Sequence, residues 1–265
     1  MDAFGPRRSA AFFDLDKTII ARSSSMAFSR SFYEGGLITR TKALRTAFAQ
    51  FLFEVGGADE RQTTRLRDAL SELIAGWDVA HVDAIVAETL HEHIDPIVYQ
   101  EALDLIRRHQ ANGRDVVIVS ASAAQVVEPI AELLGADAVV ASRMEVEDGR
   151  FTGEISFYAY GPAKEAAIRE LAAARGYDLR ASYAYSDSIT DAPMLDAVGH
   201  GFAVNPDRTM RRAAHRHGWG VLTFKRPVGL RSSNATRPAI VAAIAVGAVV
   251  GVWALAVLAR RDREA

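Results

Sequence analysis

The run "FFDLDKTII", residues 12–20, sets two aspartates and a lysine inside a stretch that otherwise reads as a buried strand. A lone carboxylate loses several kcal/mol or more on leaving water, so buried charges are normally paired or bound to metal. Either this run lies on the surface, or a strand from Ala10 to Leu15 ends at a site that needs both Asp14 and Asp16.

The rest of the chain favours a covered strand. "DVVIVS", residues 115–120, is short, β-branched and apolar throughout, as strands covered on both faces are. Further strands are expected at 136–142, 182–187, 201–205 and 219–224, with helical stretches such as "AAQVVEPIAELLG" and "PAKEAAIRELAAARG" between them. This alternation predicts an α/β fold, a Rossmann-like parallel sheet with helices on both faces. "MEVEDGRFTGEI" carries two glycine turns and reads as a hairpin.

Between the first strand and the others the pattern is helical. "RTKALRTAFAQFLFEV" repeats apolar residues at a 3.6-residue period. "DVAHVDAIVAETLHEHI" starts on a candidate cap, Asp78, and "YQEALDLIRRHQANG" ends at Asn112-Gly113. The expected division is a core of residues 9–23 and 112–224, a helical insertion at 24–111, a linker at 225–238 and a membrane-crossing helix at 239–259.

That last segment contains "AIVAAIAVGAVVGVWALAVL", residues 239–258, which carries no charge and lies between Arg237 and Arg260. Twenty residues at about 1.5 Å each span about 30 Å, the thickness of a bilayer's hydrocarbon core. Gly247 and Gly251 form a GxxxG step through which two such helices would pair as a homodimer. The N-terminal run has no cleavage site of the secretory kind, so the folded part is expected on the cytoplasmic side of a single C-terminal anchor. A net charge of −2 gives no basic stripe for nucleic acid, and the absence of cysteine excludes disulfides, thiolate catalysis and Cys-bound zinc.

Ligands of open α/β sheets bind beyond the carboxyl ends of the strands. Strand one delivers Asp14 and Asp16 there, followed by Thr18; "VIVS" delivers Ser120, with Ser122 expected to start the next helix. "YAYSDSITD" delivers Asp187 and Asp191, and Lys164, one of only four lysines among 31 basic residues, precedes a helical run. Carboxylates, a lysine and hydroxyls on one edge suit phosphate handled with a hard cation, and Mg²⁺ commonly uses one or two carboxylates plus a substrate phosphate.

"DLDKT", "VIVSAS", Lys164 and "SDSITD", in this order, resemble the four motifs of the haloacid dehalogenase superfamily. The place of the helical insertion, the "GRFTGEI" hairpin and "YSDSITDAPML" narrow the resemblance to its phosphoserine-phosphatase-like branch, subfamily IB. The resemblance implies a Mg²⁺-dependent phosphomonoester hydrolase, with Asp14 as nucleophile and Asp16 as general acid and base. It further implies Mg²⁺ held by Asp14, the Asp16 carbonyl and Asp187, with Ser120, Ser122 and Thr18 meeting the substrate. Lys164 would offset charge at Asp14, Asp191 would act from behind these groups, and the insertion would be a cap over a phosphate-ester substrate.

Blander readings stand beside these: Thr18 as a turn residue, Ser122 as a helix cap, Asp191 as a solvated acid, and "HEH" at 91–93 as a polar helix face. Arg40, Lys42 and Arg45 read first as a solvated face and second as a contact for another anionic group of the substrate or a lipid head group, and Lys17 is expected to point away from the site. Ser23 stands where phosphoserine phosphatases carry a glutamate for the serine amine, and Thr190 where many relatives carry asparagine. A phosphotransferase would use the same residues. A phosphorylated switch domain would lack both the insertion and an acid at Asp16, and a membrane-tethered scaffold would not need the full motif set.

Overall fold

The computed structural model describes residues 8–38, 68 and 71–227. The expected helix at 40–55 with its Arg40, Lys42 and Arg45, most of the linker and the 239–259 segment with Gly247 and Gly251 lie outside the described residues. The chain divides into residues 1–230 and 231–265, and the second unit lies wholly outside them. Among the described residues no helix is long and apolar enough to cross a membrane.

Seven strands form one sheet: β1 (Ala10–Asp14), β2 (Asp115–Ala123), β3 (Ala138–Glu147), β4 (Arg150–Phe157), β5 (Tyr183–Ser186), β6 (His200–Val204) and β7 (Gly220–Leu222). Their spatial order is β4-β3-β2-β1-β5-β6-β7, and all neighbours are parallel except the β3–β4 hairpin. The first strand therefore sits between the second and fifth, and the connections leave it in opposite directions. That reversal opens a crevice at its carboxyl end.

β1 is buried along its whole length because both faces of the sheet are covered. Ala11 and Phe13 face one apolar cluster, and Ala10 and Phe12 face the other. On the first face Phe13 stacks on Tyr185 (ring centroids 4.4 Å apart), and Tyr185 stacks on Phe202 at 5.1 Å. These rings tie β1, β5 and β6 together through cross-strand packing.

Two short helices, α1 (Ser24–Ala27) and α2 (Ser29–Glu34), open the insertion, and α3 (Val79–Ile94) continues it. The Asp78 side chain accepts from His81 N at 3.1 Å and caps α3. Trp77 and Gly76 exchange backbone hydrogen bonds with Phe151, so the β3–β4 hairpin pins the insertion to the sheet edge.

The next helix, α4 (Gln100–Ala111), packs on β1 and β2, so it goes with the sheet and not with the helices before it, unlike the expected boundary at residue 111. The first residues of the expected linker are tied down at its start: Gln100 N donates to the Arg226 carbonyl, and Lys225 N donates to the Glu101 carboxylate. Helices α5 (Ala124–Leu133), α6 (Pro162–Arg175), α7 (Ala192–Asp196) and α8 (Arg208–His217) complete the layers.

His109 on α4 is buried against this sheet, its Nε2 2.8 Å from the Tyr185 hydroxyl and its Nδ1 without a hydrogen-bond partner. Burial, with Arg114 adding to it, pushes its pKa down to about 4. A histidine whose folded value lies below its unfolded one binds its proton more readily when unfolded. Its contribution to stability is therefore full above pH 6.5 and is lost as pH falls towards 4. Melting temperatures across that window are expected to fall less steeply for His109→Gln than for the wild type; parallel curves would refute the assignment.

Candidate active site

The tip of β1 is where these layers meet. Asp14 ends the strand, and Lys17 follows in a left-handed turn (φ 60) that sends the chain back under Leu15, whose carbonyl accepts from Ile19 N at 2.9 Å. Non-glycine residues adopt that conformation at a cost, which the surrounding contacts must offset. Gly161, with φ 55, makes a second such turn just before Pro162 and starts α6, the helix that carries Lys164. Without a Cβ, glycine takes this conformation at no steric cost.

Lys164 Nζ donates to Asp14 Oδ1 at 2.7 Å and to Asp191 Oδ2 at 2.8 Å, and all three side chains are buried. Ser186 Oγ donates to Asp191 Oδ2 at 2.7 Å, so Asp191 is held from the β5 side as well. Asp191 is thus no solvated acid.

Asp16 is turned elsewhere. One of its oxygens accepts from Ser24 N at 2.6 Å and the other from Ser122 Oγ at 2.9 Å, while Ser24 Oγ donates to Ser122 Oγ. The Asp16 carboxylate is therefore held jointly by the first residue of the insertion and by the end of β2. Ser122 is not the helix cap; that position belongs to Ala123, and β2 runs through Ser122. Ser120 Oγ accepts from Ser122 N at 3.1 Å.

Burial pushes the Asp14 carboxyl well above its ordinary value; Lys164 opposes this, while Asp191 and Asp187 add to it. Burial also raises Asp16, against the hydrogen bonds from Ser24 and Ser122. Asp187 is pushed up to about 6 by burial, with Lys17 and Lys164 pulling it down and Asp191 pushing it up. Burial works against the Lys164 ammonium, but Asp14 and Asp191 outweigh it and hold its pKa above the usual lysine value. The edge thus carries more buried negative charge than one buried lysine balances.

That excess is what a divalent cation would offset. The donors on offer are the Asp14 and Asp187 carboxylates and backbone oxygen, an all-oxygen set of the kind Mg²⁺ prefers. No cluster of three or more metal-binding side chains occurs among the described residues, so two carboxylates would have to be completed by backbone, water and substrate oxygens. The residues present fit such a cation.

A cavity of about 680 Å³ opens from this edge and is lined at one end by Asp14, Asp16, Ser120, Lys164 and Asp187. Thr18 is fully buried and is not among the residues that line it; its hydroxyl accepts from Asp187 N at 3.0 Å and steadies the Asp187 loop. Lys17 does line the cavity and faces Asp187 electrostatically, contrary to the expectation that it points away.

Thr190 hydrogen-bonds Ser188, its Oγ1 lying 2.9 Å from Ser188 Oγ. His93 turns inward, Nε2 2.6 Å from Ser31 Oγ and its ring edge-on to Phe28, so the "HEH" stretch is not simply a polar face. Sequence reading missed Ser24, Ser186 and Lys17. A signal for the first exists in hindsight, since the Ser23–Ser25 run falls where the chain leaves β1 for the insertion.

A parallel α/β sheet with a helical insertion after its first strand, and aspartates at that strand's tip, defines the class. A family profile of haloacid dehalogenase-like hydrolases matches residues 11–196, and the chain belongs to that family. Within it the chain is an enzyme of the phosphatase type, phosphoserine-phosphatase-like in fold.

The "inhibition of morphological differentiation protein" of Streptomyces azureus is 60% identical over 262 residues, covering 97% of this chain and 95% of that one. A probable phosphatase of Mycobacterium tuberculosis is 56% identical over 249 residues, covering 94% and 86%. A solved phosphoserine phosphatase carrying a phospho-aspartyl intermediate analogue aligns with a TM-score of 0.60 at 20% identity, covering 83% of this chain and 95% of that one. A likeness at that identity is one of fold.

Proposed function

We propose that the chain hydrolyses a small or membrane-associated phosphate monoester through a phosphoaspartate formed on Asp14. The observation that carries this is the buried ion pair at the β1 tip, where Lys164 fixes Asp14 Oδ1 at 2.7 Å at the end of a cavity. An amine in that place holds one carboxylate oxygen and leaves the other for attack.

In the first step an Asp14 oxygen attacks phosphorus, the bond from phosphorus to the ester oxygen breaks, and Asp16 gives that oxygen a proton. Burial raises the Asp16 pKa, against the hydrogen bonds from Ser24 and Ser122, which is the direction an acid for this step needs. In the second step Asp16 takes a proton from water as the water attacks phosphorus, releasing phosphate and restoring Asp14.

Ser120 and the backbone amides around it bind phosphoryl oxygens, and Lys164 and Lys17 balance charge. A Mg²⁺ ion bound by Asp14, the Asp16 carbonyl and Asp187 would supply further charge neutralisation at the phosphoryl group. Phosphoryl transfer needs little beyond such positioning and neutralisation. Ser122 and Ser24 act through Asp16, which they aim; Thr18 and Asp191 act through Asp187 and Lys164.

Rapid-quench labelling with a phosphate-labelled ester tests the mechanism. With p-nitrophenyl phosphate, whose leaving group needs no protonation, Asp16→Asn is expected to accumulate label on Asp14, because the second step loses its base. Ser122→Ala, which only loosens Asp16, is expected to slow turnover about tenfold with less label retained. Absence of any label on Asp14 in either variant would sink the phosphoaspartate reading.

The uncharged run at 239–258 supports a place for this activity, a single-pass C-terminal anchor with the catalytic part on the cytoplasmic side. The full chain is then expected to stay with membranes through alkaline carbonate extraction. Release into the supernatant would remove the anchor.

A further inference from the structure

We infer that the ester this site accepts is a phosphomonoester of an extended apolar alcohol, and that compact zwitterionic esters such as phosphoserine are poor substrates. The inference rests on the phosphatase reading above and narrows it to a substrate class.

Beyond the aspartates the described walls of the cavity are mostly apolar, with a few polar side chains such as Ser71 and Gln125 among them. The apolar walls come from Phe32, Ile74 and Trp77 of the insertion and from Met144, Phe151 and Ile155 of the β3–β4 hairpin. Cavities lined in this way bind ligands chiefly by burying apolar surface, with a few polar groups fixing orientation.

Size points the same way. A compact ester such as phosphoserine, packed at protein density, fills about 200 Å³. The remainder of a cavity of about 680 Å³ would then hold water largely against apolar side chains such as Trp77 and Phe151. An alkyl chain fills the same space with contacts.

Charge on the described walls points the same way. Among the described residues lining the cavity, the only acids are Asp14, Asp16, Asp187 and Asp191. Asp14 and Asp191 are engaged with Lys164, Asp16 with Ser24 and Ser122, and Asp187 stands with them at the phosphate end. Among the described residues the apolar part offers a substrate ammonium no carboxylate to pair with, and an unpaired buried charge is costly. Among the described residues Arg30 is the one cation that lines the cavity away from the aspartates, and it is exposed and paired with Glu34 at 2.8 Å.

The test is kcat/KM of the full-length chain with Mg²⁺ for n-alkyl phosphates from ethyl to octyl, each below its critical micelle concentration. Phosphoserine and p-nitrophenyl phosphate are assayed alongside. Each added methylene is expected to raise kcat/KM about fourfold until the cavity is full, since transfer of one CH₂ from water is worth that much. Phosphoserine is expected to fall below butyl phosphate. Ile155→Asp is expected to flatten the slope, and the wild-type slope decides the matter even where that variant fails to fold.

Lysophosphatidate, offered as monomer and in vesicles, tells a free amphiphile from a membrane-borne one; turnover above butyl phosphate in either form supports the class. A flat alkyl series with phosphoserine preferred, while p-nitrophenyl phosphate is hydrolysed, overturns the substrate class and leaves the phosphatase reading intact. Failure to hydrolyse any ester overturns both.

Discussion

Asp14→Asn is expected to lower phosphate release by a factor on the order of 10⁴ or more while leaving the protein folded. An amide oxygen is a poor nucleophile, and the exchange removes the carboxylate proposed to attack phosphorus. Folding is expected to survive for a separate reason. Asparagine has the shape of aspartate, and its oxygen still accepts from Lys164, which keeps its ion pair with Asp191. Burial and two neighbouring carboxylates already work against the charge on Asp14, so removing it relieves repulsion at the β1 tip. The melting temperature of Asp14→Asn is therefore expected to equal or exceed that of the wild type. Phosphate release within tenfold of wild type in a variant that melts normally would show that Asp14 is not the nucleophile.

The reason so much of this site is legible in the sequence lies in the sheet. Parallel strands covered on both faces read as short apolar runs, and their carboxyl ends must share one edge. Asp14, Ser120 and Asp187 therefore come together from positions more than sixty residues apart in sequence without any contact having to be known.

What the sequence does not carry is the set of contacts that depend on how the insertion settles. Whether Ser122 caps a helix or holds Asp16 is decided by the approach of Ser24, from the far side of the insertion, to the end of β2. Thr18 has the same history, since its hydroxyl finds its partner on the Asp187 loop. Lys17 is misread because alternation along an extended strand predicts its direction only while the strand continues. The chain leaves the strand at Asp14, and after the left-handed turn at Lys17 that residue lies at the cavity's edge. The fate of α4 is similar, for its helical period says where its apolar face is but not that β1 and β2 supply the partner.

Lys164→Met is expected to damage both stability and turnover, and in this it differs from Asp14→Asn. The lysine is almost fully buried and its ammonium answers two carboxylates, each within 2.8 Å. Removing the shared partner of a buried ion pair leaves uncompensated charge and costs about 3–5 kcal/mol. In a chain of this size that corresponds to a melting temperature lower by about 10 °C.

Turnover is expected to fall on the order of 10³-fold, as it does when a preorganised charge is taken from a phosphoryl or oxyanion site. Lys164→Arg should not rescue it: the planar guanidinium is larger than the space an ammonium occupies between Asp14 and Asp191, and it carries its charge over a wider front.

The decisive comparison is Lys164→Met with and without Asp191→Asn. If the lysine is held by both aspartates as one unit, the second change removes one of the two charges left unpaired. It should then restore about half of the lost stability while restoring no activity, because Asp14 still lacks its partner. Stabilities that simply add would mean that Asp191 does not share the lysine. Activity recovered along with stability would mean that Lys164 serves only to hold the fold.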